Sequence, residues 1–250
     1  MVAVRAPRSV LDVARAHGVA TLTIRAGDEG LSPALHAALA EAAAAIDLDD
    51  EVRVVVLRAR GRAFCRGGVA TDVPGVPDGV AAIAALRVPV LALVQGDAID
   101  EGLELALACD LRVTATTAHF ATTQLAAGRL PRHGGTQRLP RLVGKGRALA
   151  MLLTGERMTA RAARDAGLVE RVVPARELWR SGAKLASGMA SRAPIAQRLA
   201  KEALHAASDL PLAEGLRLEG DLYVLLQSTA DRDEGIASFR ERRRPVFRGR

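Results

Sequence analysis

Aromatic side chains are nearly missing from this chain: Phe, Tyr and Trp together make up 2% of its residues. Cages for quaternary cations and platforms for stacked bases both need exposed rings, so neither is expected. Cysteine is almost as scarce. Cys65 and Cys109 are the only two, and they form no C-x-x-C pair. That excludes a disulfide scaffold and a zinc-type cluster, and it fits an intracellular, cytoplasmic protein. No apolar run reaches the roughly 18 uncharged residues of a membrane-spanning helix. Arg5 and Arg8 are followed by no apolar signal core, and a transit peptide is not the preferred reading. Lysine occurs only at 145, 184 and 201, so the net charge of +7 is carried by arginine. Such a balance attracts polyanions, among them phosphorylated cofactors. The arginines are scattered, with one dense run from Arg240 to Arg244, and a compact nucleic-acid patch is not visible.

What is present is aliphatic. Apolar residues make up 49% of the 250, enough for one sizeable core built from Ala, Val, Leu and Ile. Val10–Val13 and Val19–Ile24, split by Ala16-His17-Gly18, read as a hairpin. Ser32 as N-cap and Pro33 at the first helical position start a helix that runs to about Ile46. Residues 52–57, 88–94 and 111–114 read as strands, with helices over 78–86 and 102–109 between them. This alternation predicts an α/β arrangement with parallel strands. From about residue 137 the pattern turns helical, over 145–153, 159–166, 176–191, 194–208 and 212–227. A short strand at 169–173 ends at Pro174.

Four stretches carry chemistry. Arg62-Ala63-Phe64-Cys65-Arg66-Gly67-Gly68 follows a strand, and paired glycines allow a backbone N–H to point into a cleft, although alone they read as a tight turn. Pro89 to Asp110 takes a strand through a polar turn, Gln95 to Asp100, into a helix whose first turn holds Glu104. Helix N-termini offer N–H donors to negative charge. Taken alone, Asp100 reads as an N-cap. The third stretch runs from Ala118 through Gln124 to His133-Gly134-Gly135-Thr136-Gln137-Arg138-Leu139. The fourth is the tail from Phe239 to Arg250. His17, His36, His119 and His205 carry no functional signal, and Cys65 and Cys109 read as small buried apolar residues.

In this order and spacing the four stretches resemble the crotonase superfamily, the enoyl-CoA hydratases and isomerases, over nearly the whole chain. A-F-C-x-G-G looks like its first oxyanion-hole loop, and P-V-L-A-L-V-Q-G with G-L-E-L-A-L-A-C-D looks like its second. G-G-T-Q-R-L-P-R-L-V-G and L-L-T-G-E-R are similar to its mid-chain signature, and R-R-R-P-V-F-R-G-R to its C-terminus. The resemblance implies a spiral of repeated ββα units over 1–190, bearing an acyl-CoA site, and a C-terminal helical region over 191–250 that joins chains into trimers or hexamers. It implies that coenzyme A arrives as part of the substrate, with no resident cofactor and no metal. It also implies an oxyanion hole formed by the N–H groups of Gly68 and Glu101. Each such donor is worth about 3–4 kcal/mol to a developing enolate.

Two departures qualify this. Where the family has three glycines, this chain has Asp100, Glu101 and Gly102. Of the family's two catalytic glutamates, Glu104 matches the first, which activates water, but the second falls on Gln124. An amide cannot act as a general acid or base. Two residues could supply the missing proton transfer. Asp100 would share a helix face with Glu104 if it is helical, and close carboxylates drive their pKa values apart. His133 lies where the family has small residues near the acyl group, and the histidine side chain in general suits proton transfer. The segment Arg25–Gly30 is short for a CoA contact. The leading expectation is a lyase or isomerase of an unsaturated acyl-CoA. The rivals are a thioester hydrolase or decarboxylase on the same scaffold, and a non-catalytic or RNA-binding member.

Overall fold

A computed structural model describes residues 10–25, 30–67 and 74–250. Strands β1 (Leu11–Ala16) and β2 (Val19–Ile24) form the expected antiparallel hairpin, turning at His17-Gly18, both at positive φ. From β2 the sheet continues in parallel through β3 (Val54–Ala59), β4 (Val90–Val94), β6 (Leu111–Ala115) and β9 (Arg171–Val173), in the order β1-β2-β3-β4-β6-β9. The continuous apolar runs of β3 and β4 follow from burial on both faces. Val55, Leu57, Val90, Ala92 and Val94 face the main core with Leu35, Leu39 and Ile46 of helix α1 (Pro33–Asp47). Val54, Val56, Leu91 and Leu93 face helix α7 (Leu178–Ala190) on the other side. β3 starts two residues later than expected, because the Val52 N–H closes a turn onto the Asp49 carbonyl.

A second, small sheet was not anticipated: β5 (Ala98–Ile99), β7 (His119–Ala121) and β8 (Met158–Thr159), joined to the chain at Cys65 by a bridge to Ala98. Strands of two or three residues are too short to show a period of two. Helices α2 (Gly79–Ala84) and α3 (Glu101–Ala108) lie where the sequence put them. Helix α4 (Gly135–Val143), with Pro140 inside it, lies where the pattern turns helical but outside the segments named from the sequence; α5 (Lys145–Thr154) and α6 (Ala160–Asp165) match theirs.

The C-terminal helices are α8 (Pro194–Ala206), α9 (Leu212–Gln227) and the unanticipated α10 (Ala230–Arg240). They are only lightly buried in the single chain. Two polar knots tie this region down. The Asp110 carboxylate accepts from the Val90 N–H (2.7 Å), Lys201 Nζ (2.6 Å) and His205 Nε2 (3.0 Å), clamping α8 to the sheet. The Asp231 carboxylate accepts from the N–H groups of Arg248 (2.6 Å) and Gly249 (2.8 Å), folding the tail back. Among the described residues no helix is long and apolar enough to cross a membrane.

Candidate active site

The site grows from the junction between β4 and α3. After Val94 the chain turns, and the Gln95 amide fixes the turn by donating to the Ala63 carbonyl at 2.6 Å. The short β5 follows, and Asp100 sits at φ 52°, ψ −121°, a conformation costly for a side-chain-bearing residue. Asp100 is therefore not helical, and the face it was expected to share with Glu104 does not form. Its carboxylate turns instead to Thr123, accepting from the backbone N–H and from Oγ1 (2.8 Å to the latter). This link pins the turn that delivers Gln124.

Glu101 is the first residue of α3, and its side chain, largely buried, pairs with Arg129 at 3.1 Å. Gly102 lets the helix start press against the preceding loop: a Cβ there would lie 1.9 Å from the Cys65 carbonyl oxygen. One helical turn on, the Glu104 side chain is fully buried. Its Oε1 accepts from the N–H groups of His133 (2.7 Å) and Gly135 (2.8 Å), and its Oε2 from Gln124 Nε2 (3.3 Å). Burial pushes the Glu104 pKa up, against the pull of the Gly135 and His133 N–H groups. A buried carboxylate with an increased hold on its proton is equipped both to take and to return one at moderate pH.

Gln124 opens a short 3₁₀ turn, Gln124–Ala127, and is itself buried. Its Oε1 has no partner among the described residues. His133 comes off the loop before α4. Its Nδ1 lies 3.0 Å from Asp78 Oδ2, at the N-cap of α2, and its ring lies 4.9 Å from that of His36 on α1. Glu104, Gln124 and His133 are thus brought together, whereas Asp100 anchors one wall. Gly68, the other oxyanion donor implied by the resemblance, and residues 26–29 of the segment Arg25–Gly30 lie outside the described residues. Burial pushes both thiols, Cys65 and Cys109, up to about 12, which leaves neither as a ready nucleophile.

His36 carried no functional signal in the sequence, which singled out neither Asp78 nor Thr123 as a site residue. Asp78 was legible as a helix start but not as a partner of His133. Nothing in linear order links positions 36, 78 and 133, and only the packing of α1, α2 and the pre-α4 loop joins them.

Comparison with known proteins shows the family. The family model described as Enoyl-CoA hydratase/isomerase matches residues 14–250. The 2,3-dehydroadipyl-CoA hydratase of Escherichia coli (strain K12) is 37% identical, across 97% of this chain and 100% of its own length. The (E)-benzylidenesuccinyl-CoA hydratase of Thauera aromatica is 35% identical, across 96% and 98%. The crystal structure of an enoyl-CoA hydratase from Bacillus anthracis superposes with a TM-score of 0.89 at 36% identity, covering 96% of this chain and 100% of that one. Family model, sequence identity and overall fold therefore agree, and the chain belongs to the enoyl-CoA hydratase/isomerase family, within the crotonase superfamily.

Proposed function

We propose that this enzyme hydrates or isomerises an unsaturated acyl-CoA through a thioester enolate, with Glu104 as the group that moves the proton. The observation that carries this reading is the Glu104 carboxylate, fully buried at the start of α3 and held by three N–H donors. The enolate oxygen would be met by the N–H groups of Glu101 and Gly68. One carboxylate suffices for isomerisation, where the same group takes a proton from one carbon and returns it to another. For hydration it would take the proton of a water and return it to the α-carbon. Gln124 serves either course as a positioning group. Its N–H orients Glu104 Oε2, and its unpartnered Oε1 can accept from a water. Asp100 contributes by holding Thr123.

In this reading coenzyme A arrives with the acyl group and leaves with the product. The enzyme works in the cytoplasm, which the two free, buried thiols support, and it assembles as a trimer or hexamer. The deciding experiment is turnover of a panel of acyl-CoA thioesters, with product masses to separate hydration from isomerisation and hydrolysis. Water addition or a shifted double bond, lost in Glu104→Gln, is the expected result. Release of free CoA as the main product would replace this reading with the hydrolase.

A further inference from the structure

His36 and His133 meet at the wall of the site. Both side chains are buried, and their rings lie 4.9 Å apart with a 38° tilt. In each ring Nδ1 faces the start of α2: His36 Nδ1 accepts from the Gly79 N–H at 3.0 Å, and His133 Nδ1 lies 3.0 Å from Asp78 Oδ2. Each ring carries an Nε2 that is buried and has no partner among the described residues. A histidine kept only for packing would have both nitrogens satisfied, because a buried polar atom without a partner is costly. The backbone N–H of His133 donates to Glu104 Oε1, so this pair stands one residue from the proton-transfer group.

The network also assigns what each Nε2 offers. His36 Nδ1 is an acceptor, so a neutral His36 carries its proton on Nε2 and presents a donor. Burial, followed by the nearby His133, holds the His36 pKa below its ordinary value and keeps that ring neutral. His133 Nδ1 faces a carboxylate and donates to it, leaving Nε2 as an acceptor in the neutral ring and a donor in the protonated one. A donor beside an acceptor fits a hydroxyl group, and two donors fit a carboxylate. Among the described residues no trio of His, Cys, Asp or Glu is grouped to hold a metal ion, so an organic oxygen is the better occupant.

We propose that the acyl group of the substrate carries an oxygen function, hydroxyl or carboxyl, that binds between Nε2 of His36 and Nε2 of His133. This rests on the acyl-CoA reading of the Glu104 site and adds the chemical class of the acyl group. A hydrocarbon chain would leave both nitrogens unsatisfied, and a site built around polar partners discriminates strongly against analogues that lack them.

The test uses matched trios of enoyl-CoA thioesters, identical in length and double bond but ending in methyl, hydroxyl or carboxylate, over a series of lengths. At the fitting length the oxygenated member should exceed the methyl-ended one in kcat/KM by about tenfold or more. Which member wins separates hydroxyl from carboxylate. The ratio should collapse in His36→Leu and in His133→Leu and persist in His36→Gln, which keeps an N–H donor. Should His133→Leu fail to fold, the two His36 variants and the unmodified enzyme still decide. Equal or better turnover of the methyl-ended thioester at every length would overturn the inference while leaving the acyl-CoA reading intact. Turnover of no thioester at all would overturn both.

Discussion

At the scale of single residues, the site turns on Glu104 and its neighbour Gln124. Burial raises the Glu104 pKa, so its protonated form persists to higher pH than in the unfolded chain. A carboxyl shifted in this direction favours the fold below the unfolded pKa, and that contribution is lost as pH rises through the folded value. Raising the pH through that value therefore removes stability at Glu104. Glu104→Gln should leave the melting temperature at pH 7 unchanged or higher. Its carbonyl still accepts from His133 and Gly135, and Gln124 can flip to offer Oε1. Its turnover of enoyl-CoA should fall by about 10²–10⁴-fold. A clear drop in melting temperature would mean that the charge is needed for folding. In the unmodified enzyme, the acidic limb of kcat/KM should lie above the range of an ordinary glutamate, because the basic form must be regenerated. A limb at or below that range would remove Glu104 as the base. Gln124→Glu places a second carboxylate where the amide now lies 3.3 Å from Glu104 Oε2. Hydration of a short enoyl-CoA should rise, at a cost in stability, since one of two close carboxyls must hold a proton. Unchanged hydration in a folded variant would show that Gln124 does not limit the reaction.

At the scale of elements, the start of α3 is the part that everything else positions. Its fit against the Cys65 loop depends on Gly102, where a Cβ would collide with a backbone carbonyl rather than a pliable side chain. Gly102→Ala should therefore cost more than the ordinary helix gain of alanine over glycine can return, and it should displace Glu101 and Glu104 together. Expected are a melting temperature lower by several degrees and a loss of kcat. A folded, fully active variant would show that the loop and helix can part without harm. The same junction shows what the sequence made legible. The strand-turn-helix course and the place of Glu104 in the first turn could both be read, because period and motif are local. The direction of the Asp100 side chain could not. It depends on a positive φ and on Thr123, which β7 brings back from twenty-three residues away. The His36–His133 pair was hidden for the same reason, since its two members approach only through the packing of α1 against the pre-α4 loop. Short strands such as β5 and β8 left no periodic trace, whereas the long, amphipathic α9 was bounded correctly.

At the scale of the whole molecule, the uneven distribution of apolar surface stands out. The N-terminal two-thirds buries most of its aliphatic residues, on both faces of the sheet, while the last helices leave many of theirs in solvent. On α9, Leu212, Leu216 and Tyr223 are all more than half exposed and fall within about 40° of one another at 100° per residue, forming one stripe. The tail adds Phe239, 85% exposed. Arg243 is spent on Glu234 and Glu241, at 2.5 Å each. A stripe of this kind on a helix that contributes only Leu222 to the core calls for cover, and a further copy of the same chain is the partner that closed symmetry supplies. With the trimer or hexamer proposed above, sedimentation at micromolar concentration should show a particle of three or six chains. Leu216→Glu combined with Tyr223→Glu should shift it to smaller species while far-UV circular dichroism stays the same, because neither residue belongs to the core. Turnover should fall less than assembly if each chain carries its own Glu104 site complete. A stable monomer in the unmodified protein, or an undisturbed oligomer in the double variant, would place the subunit contact elsewhere or remove it.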